Sequence, residues 1–203
     1  MQVISNQGPK FEAARKLVQQ KNKAFAKLPQ HEQRIHIAKD VIAQIYAGKF
    51  KAFSGYFDIS DFSGARDELE VADVVAQASS CQVCGIGSLF AGAVLNADKL
   101  KVFDLRPAGC TWPTMAEQRS KQTEYLQQWF SEDQLDLVEV FFEKWRPGTE
   151  YLWPESVKIT LKTLRSSPIY LERSPKKRLV MIMENIISNR GFFNPFAGKH
   201  RTR

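Results

Sequence analysis

The sequence predicts a mostly helical α+β protein in which one buried central helix, at about residues 80–96, is surrounded by amphipathic helices and a small β element. Two observations predict this class. No charged residue occurs between Val74 and Ala97, which is the longest uncharged run in the chain. On both sides of this run, apolar residues recur every three to four positions, as they do in amphipathic helices.

The central helix has two different faces when its residues are placed at helical spacing. One narrow face carries only small residues: Cys81, Gly85, Ser88 and Gly92. The opposite face carries bulky residues: Val83, Ile86, Phe90 and Val94. Small residues let a neighbouring backbone approach closely, so we expect a helix that is buried nearly all round and packs against two layers. The densely apolar part, 83–95, is too short to span a hydrocarbon core of about 30 Å, so no membrane span is predicted.

Two helices are predicted before residue 50. Pro9 is suited to a first helical turn, and an amphipathic basic helix runs from it to about Lys27. Pro29 then interrupts the pattern, and a second helix follows that Gly48 ends. The apolar residues of these two helices are Phe11, Ala14, Leu17 and Val18, and then Ile35, Ala38, Val41, Ile42 and Ile45.

The segment around the central helix predicts the small β element. From Phe50 the chain is rich in aromatic residues around a central Ser-Gly, which is typical of a short strand pair or a strand and turn. Residues 66–78 predict a helix that leads into the central helix, which Asn96 and Asp98 should end. Residues 99–106 alternate between polar and apolar side chains as a strand does.

The C-terminal half predicts a loop at 107–113, a polar helix from Met115 to Phe130 and two further helices. Ser131 and Gln134 form a capping box for the first of these, which Pro147-Gly148 ends. Its apolar face consists of Leu135, Val138, Phe141, Phe142 and Trp145.

An irregular stretch at 151–171 precedes the last predicted helix. Ser174 is placed as its N-cap, Pro175 as its first residue and Gly191 as its C′ residue. An aromatic group and a basic tail follow this helix. The aromatic group is Phe192, Phe193 and Phe196.

The distribution of charge suggests three regions: a basic N-terminal helix at 1–30, a single globular domain at 31–196 and a basic tail at 197–203. The formal net charge is +7, with six Lys/Arg against one Glu in 1–30 and seven against one in 174–203. Residues 51–80 and 131–150 each hold two Lys/Arg against six Asp/Glu. Two interpretations remain open: the basic ends bind an anionic partner, or they cover the acidic middle of the chain.

The composition predicts a soluble cytoplasmic protein. The first ten residues lack the basic and apolar segments of a secretory signal. Three cysteines in 203 residues fit reduced thiols better than a disulfide framework.

The Cys81-x-x-Cys84 motif suggests three hypotheses. A zinc site would need two more ligands, and Cys110 and the three histidines do not supply a second block with zinc-site spacing. A redox site would need a low-pKa thiolate at an exposed helix start, near which Cys81 is placed. We favour the third hypothesis, in which two small buried residues permit close helix packing, and we expect no metal and no cofactor.

We expect no enzymatic activity, because the sequence shows no catalytic constellation. It has no phosphate-binding G-x-x-x-x-G-K-[ST] motif and no G-x-S-x-G nucleophile elbow, and Phe90 occupies the position of the third glycine of a dinucleotide motif. One predicted helix carries carboxylates at helical spacing, which favours a solvated acidic face over a metal site. These carboxylates are Asp133, Asp136, Glu139 and Glu143.

Five residues are candidates for contact with a partner. Trp112 and Trp153 each precede a proline in a predicted loop, where an exposed tryptophan would anchor an interface; the alternative is that they fold back over the core. Lys199, Arg201 and Arg203 give the tail its charge and suit attraction to an acidic protein surface.

Two sequence blocks, CQVCGIGSLF near the centre and RLVMIMENIISNRGFF near the end, occur with FSEDQLDLVE between them. On these blocks the chain resembles uncharacterised proteins of bacteriophages and prophages, from about Arg34 to Pro195. The resemblance implies no known activity or catalytic residue. It implies a small factor, made during infection, that binds and modulates or inhibits a host protein complex such as a defence complex. The alternative is a nucleic-acid-binding module that uses Lys10–Lys27 and Lys176–Arg203.

Overall fold

A computed structural model describes residues 9–53, 57–59, 70–97, 100, 115–144 and 161–196, and this part of the chain is mostly helical with one small sheet. The predicted α+β class is confirmed. The elements before residue 97 are α1 (Pro9–Phe25), α2 (Gln30–Tyr46), β1 (Phe50–Ala52), β2 (Phe57–Ile59), α3 (Val71–Gln77), β3 (Cys81–Val83) and α4 (Gly85–Asn96). Those after residue 114 are α5 (Met115–Leu126), α6 (Glu132–Glu143), α7 (Leu161–Leu164), α8 (Pro168–Leu171) and α9 (Pro175–Ser188).

Helix α4 is the predicted central helix, and every one of its residues is buried. It packs against α1, α2, α3, α5 and α6, which explains why an uncharged sequence is needed along its whole length. The predicted start at about residue 80 is wrong, because Cys81–Val83 forms strand β3 and the helix begins at Gly85. Cys84, in an extended conformation, separates the two elements.

The sheet has the order β1-β3-β2. Strand β3 pairs in parallel with β1, where Phe50 faces Cys81, and antiparallel with β2, where Phe57 faces Val83. The segment after Phe50 was predicted to form either a strand pair or a strand and turn; it contains two strands, which do not pair with each other because β3 lies between them. The pairing of β3 on both edges uses the backbone groups that a longer α4 would have used.

The small residues of α4 permit close packing on two sides, as predicted. A Cβ atom on Gly85 would lie 3.0 Å from Cβ of Phe142 in α6, and one on Gly92 would lie 2.9 Å from Cγ2 of Val41 in α2. Ser88 is fully buried, and its hydroxyl donates to the Gly85 carbonyl at 2.8 Å. Cys81 is not part of this face, because it belongs to β3.

Helix α1 packs on α3 and α4 and contributes Val18 and Phe25 to the common core. A polar network joins it to α2 and α4: Lys21 forms an ion pair with Asp40 at 2.8 Å, and the Asn96 amide donates to the same carboxylate at 2.9 Å. The proposed boundaries after residues 30 and 196 stay predictions.

The predicted helix caps are largely confirmed. Ser131 accepts a hydrogen bond from the backbone of Gln134, and Ser174 accepts one from Lys177. The Gln134 side chain, which the capping box would direct back to Ser131, instead bonds to the backbone of Phe193. Gly48 follows α2 with a positive φ of 74°. Helix α5 ends at Leu126, short of the predicted end at Phe130.

The end of α9 differs from the prediction by one position. Asn189 is the C-cap, so Arg190, with φ 57°, is the left-handed C′ residue, and Gly191, with φ 86°, comes after it. The N–H of Gly191 donates to the Ile186 carbonyl at 2.8 Å, which closes the helix. A Cβ atom on Gly191 would lie 2.7 Å from the His31 carbonyl, so glycine is required where the chain passes the start of α2.

Short helices α7 and α8 lie in the stretch predicted to be irregular. The predicted strand at 99–106, apart from Leu100, the loop at 107–113 and the helix stop at Pro147-Gly148 lie outside the described residues. Within the described part of the chain, no helix combines the length and the apolar character needed to cross a bilayer.

Candidate interaction surface

The two cysteines of the C-x-x-C motif have different positions. Cys81 is buried in β3, whereas Cys84 is the N-cap of α4, where its sulfur accepts a hydrogen bond from the Gly87 N–H at 3.2 Å. The expectation that Cys81 lies near an exposed helix start is therefore wrong. Burial raises the pKa of Cys84 to about 12; the Gly87 N–H opposes this shift, and nearby Glu143 and Glu139 add to it. A thiol with this pKa stays protonated near neutral pH, which disfavours the redox hypothesis.

Among the residues that the structure describes, no three His, Cys, Asp or Glu side chains come together in a group that could hold a metal ion. Cys110 and His200 lie outside the described residues, so the expectation that the protein binds no metal or cofactor stays a prediction.

The carboxylates of α6 do not form the solvated acidic face that we predicted. Asp133 is exposed, but Asp136 is buried, and Glu139 and Glu143 are half-buried. The physical reason is that α6 packs against three helices, α4, α8 and α9, and these contacts cover much of its surface. Glu139 and Glu143 lie near Cys84 at the start of α4.

The five candidate partner-binding residues, Trp112, Trp153, Lys199, Arg201 and Arg203, all lie outside the described residues and stay predictions. The aromatic group before the tail is described. Phe193 and Phe196 pack edge-on against Phe141, with ring centroids 5.3 and 5.8 Å away. The side chain of Gln134 accepts from the Phe193 N–H at 2.7 Å, which fastens this segment to α6. The aromatic group therefore docks the end of the described chain on the core.

The exposed surface where α8 meets the start of α9 combines large apolar side chains with cations. We call it the α8–α9 surface, and it consists of half-buried Lys144 and five exposed residues: Tyr46, Leu171, Arg173, Lys176 and Lys177. Tyr46 is 68% exposed and Leu171 is 58% exposed, which makes them the two most exposed large hydrophobic residues in the described chain.

Two contacts join neighbouring elements at the α8–α9 surface. The ammonium group of Lys176 lies 5.9 Å from the centre of the Tyr46 ring, so the end of α2 and the start of α9 meet there. Lys144, just after α6, donates from Nζ to the Leu171 carbonyl at 3.3 Å. Lys144 has a left-handed backbone, with φ 51°, that turns the chain at the end of α6.

The charges near this surface influence each other. Desolvation lowers the pKa of Lys144, and the nearby cations Arg178 and Arg173 lower it further, while Glu172 opposes the change. The pKa of Glu172 is itself lowered, chiefly because its carboxylate accepts the Ser174 N–H at 2.8 Å. Glu172 is therefore held in its charged form by the backbone at the start of α9.

Arg178 supports the surface from beneath. It is buried, donates to the Glu172 carbonyl at 2.8 Å and lies over the Phe142 ring at 5.3 Å. A buried cation with these contacts fixes the short connection between α8 and α9 on the core.

A second basic surface lies on α1. Its exposed cations are Arg15, Lys16 and Lys23 in the helix and Lys27 in the turn that follows it. Leu17, which is 55% exposed, is the large apolar residue among them. Helix α1 packs on α3 and α4, whereas α9 packs on α2, α6, α8 and β1, so the two basic surfaces belong to different parts of the fold.

The sequence analysis did not identify Tyr46 or Leu171. A pattern for Tyr46 was present: it directly follows Ile45, the last residue of the apolar face of α2, and so a helical projection places it off that face. No comparable pattern marks Leu171, because its exposure depends on how α8 packs on α6 and α9.

Comparisons with known proteins add no assignment: no protein-family model, no curated protein and no solved structure matches this chain.

Proposed function

We propose that the chain is a non-enzymatic interaction protein, encoded by a bacteriophage, that acts in the host cytoplasm. In this proposal it binds a host protein complex, such as a defence complex, and modulates or inhibits it. The observation that supports the proposal most strongly is the α8–α9 surface, where exposed Tyr46 and Leu171 lie among cations. Exposed aromatic and aliphatic side chains with a charged surround are typical of protein-binding sites.

The chemistry of the described interior also supports a role in binding. Cys84, the thiol at the start of the central helix, has a pKa raised to about 12 and is therefore a poor nucleophile. The basic tail at 197–203 suits attraction to an acidic partner, which increases the rate of association more than the final affinity.

Capture from a lysate of the bacterial host, in about 150 mM salt, tests this proposal. Full-length protein carrying an affinity tag is compared with a variant that lacks residues 197–203. We expect the full chain to retain a defined host complex in stoichiometric amount and the shortened chain to retain less of it. Recovery of host DNA or RNA without any stoichiometric protein would reject the proposal.

The exposed cations of α1 favour a second candidate function, which is nucleic-acid binding. A chain that contacts several phosphates at once loses affinity steeply as salt rises. We expect weak binding to mixed-sequence DNA and RNA that disappears near 150 mM salt, because the α1 and α9 cations lie on different parts of the fold. Sub-micromolar binding that survives at that salt would favour this second function.

A further inference from the structure

We infer that the α8–α9 surface binds an acidic segment of a partner protein that carries at least one large apolar side chain. This inference rests on the proposed function and adds to it the location of the binding site and the chemistry of the partner. The inference requires three properties of the surface. The surface must be cationic, it must expose apolar side chains, and its geometry must exist before the partner binds.

The charge of the surface favours an acidic partner. Lys144, Arg173, Lys176 and Lys177 supply four cations. Glu172 is a half-buried carboxylate of the same connection, and one of its oxygens already accepts a hydrogen bond from the Ser174 N–H. The potential over the surface is therefore positive, and a carboxylate-rich segment complements it.

The apolar residues favour a protein over a nucleic acid. Tyr46 and Leu171 expose more of their side chains than any other large hydrophobic residues of the described chain. An aromatic ring alone suits stacking on a base as well as on a side chain, but an exposed leucine offers no such stacking. A partner segment with both carboxylates and an apolar side chain complements the four cations and the two apolar residues of the surface.

The geometry of the surface is preformed. Lys176 lies over the Tyr46 ring, Lys144 is bonded to the Leu171 carbonyl, and buried Arg178 fixes the α8–α9 connection. Side chains that are already ordered lose less conformational entropy when they bind. The helix start itself is not the recognition element, because Ser174 and Glu172 already accept hydrogen bonds from its N–H groups.

A direct binding experiment tests the inference. The probe is a fluorescein-labelled peptide of Asp and Glu residues with a central Leu-Trp pair, and its matched control has Asn and Gln in place of the acids. Fluorescence anisotropy in about 150 mM salt measures binding of the full-length protein. We expect the acidic peptide to bind at least about tenfold more tightly than the amide control. Equal affinity for both peptides, or binding of neither, would overturn the inference.

Charge-reversal variants locate the site. One variant is Arg173→Glu with Lys176→Glu and Lys177→Glu. The matched control, Arg15→Glu with Lys16→Glu and Lys23→Glu, makes the same change in net charge on α1. We expect the first variant to lose at least about tenfold in affinity for the acidic peptide and the second less than about twofold. Equal losses would show attraction by net charge alone and would reject the surface as a site.

Two further measurements separate the alternatives. A mixed-sequence DNA duplex that binds more tightly than the acidic peptide, and that the α9 variant releases, would assign the surface to nucleic acid and overturn the inference. In the lysate capture, a host complex that the α9 variant retains in full would overturn the location of the site while the proposed function stands. Loss of that complex in the α9 variant, but not in the α1 variant, would support both.

Discussion

Helices α4 and α9 use the same local devices in opposite surroundings. Each begins at a side chain that accepts a hydrogen bond from the backbone N–H three residues later, Cys84 in α4 and Ser174 in α9. Each also contains a serine whose hydroxyl donates to the carbonyl three residues earlier, Ser88 at 2.8 Å and Ser188 at 3.1 Å. Helix α4 is buried along its whole length, whereas α9 has an exposed face. Two helices with the same local hydrogen bonds can therefore differ in their exposure to solvent.

The charge states of two carboxyl groups show the same contrast. Burial raises the pKa of Asp73 in α3 to about 6; Glu70 and Glu12 add to this shift and Arg15 opposes it. At the start of α9, the Ser174 N–H lowers the pKa of Glu172. The pKa values of the two carboxyl groups thus shift in opposite directions, because Asp73 is buried while Glu172 accepts a hydrogen bond from the backbone.

The largest expected effect concerns the thiol of Cys84. An increase of its pKa from 9.0 to about 12 lowers the thiolate fraction near neutral pH about a thousandfold. Iodoacetamide should therefore leave Cys84 unmodified in the folded protein and modify it fully in urea, which mass spectrometry of the Cys84 peptide measures. Rapid modification of Cys84 in the folded protein would contradict the burial of this thiol at the start of α4.

A pair of matched substitutions measures the contrast between the helices directly. Ser88→Leu inserts a larger side chain into the packed face of α4 and should lower the free energy of unfolding by about 3 kcal/mol. Ser188→Leu removes the same kind of local hydrogen bond on the exposed face of α9. It should change the free energy of unfolding by less than about 0.5 kcal/mol. Urea denaturation of both variants gives the values, and similar losses would contradict the contrast.

The smallest expected effect is the pH dependence from Asp73. Its pKa is higher in the folded protein than in the unfolded chain, so the folded state binds more protons, and stability falls as pH rises from about 4 to about 6. Asp73→Asn removes this dependence. We expect the variant to match the natural protein near pH 4 and to exceed it by about 1–2 kcal/mol above pH 7, because a buried site relaxes in part around a charge.

Urea denaturation across this pH range provides the measurement. Glu70→Gln removes only the contribution of Glu70 to the raised pKa of Asp73, so this variant should show a reduced pH dependence and not its loss. If the Asp73→Asn variant and the natural protein differ in stability by the same amount at pH 4 and pH 7, the raised pKa of Asp73 is contradicted.

Much of the helical fold was predictable, because capping residues and apolar spacing act locally. Ser131 and Ser174 predicted the starts of α6 and α9, and both are N-caps in the structure. Strand β3 was not predictable from the same information. Its three residues continue the uncharged run of α4, and what makes them a strand is pairing with β1 and β2, which are distant in sequence.

The candidate surface was less predictable than the fold. Its cations were visible in the basic C-terminal composition, but their association with Tyr46 depends on the packing of α9 against α2. The predicted acidic face of α6 failed for a related reason: helical spacing places Asp136 and Glu139 together, but only tertiary packing covers them. Solvent exposure at a helix junction is a property of the assembled protein.

The packing of α9 against α2 also bears on how the protein is made. Helix α2 is synthesised early, but helix α9, which packs against it, lies near the end of the described chain. Strand β1 is likewise synthesised before β3, with which it pairs. Until α9 leaves the ribosome, the apolar side chains of α2 that face it have no native neighbour. Completion of the fold therefore follows translation of the C-terminal helix.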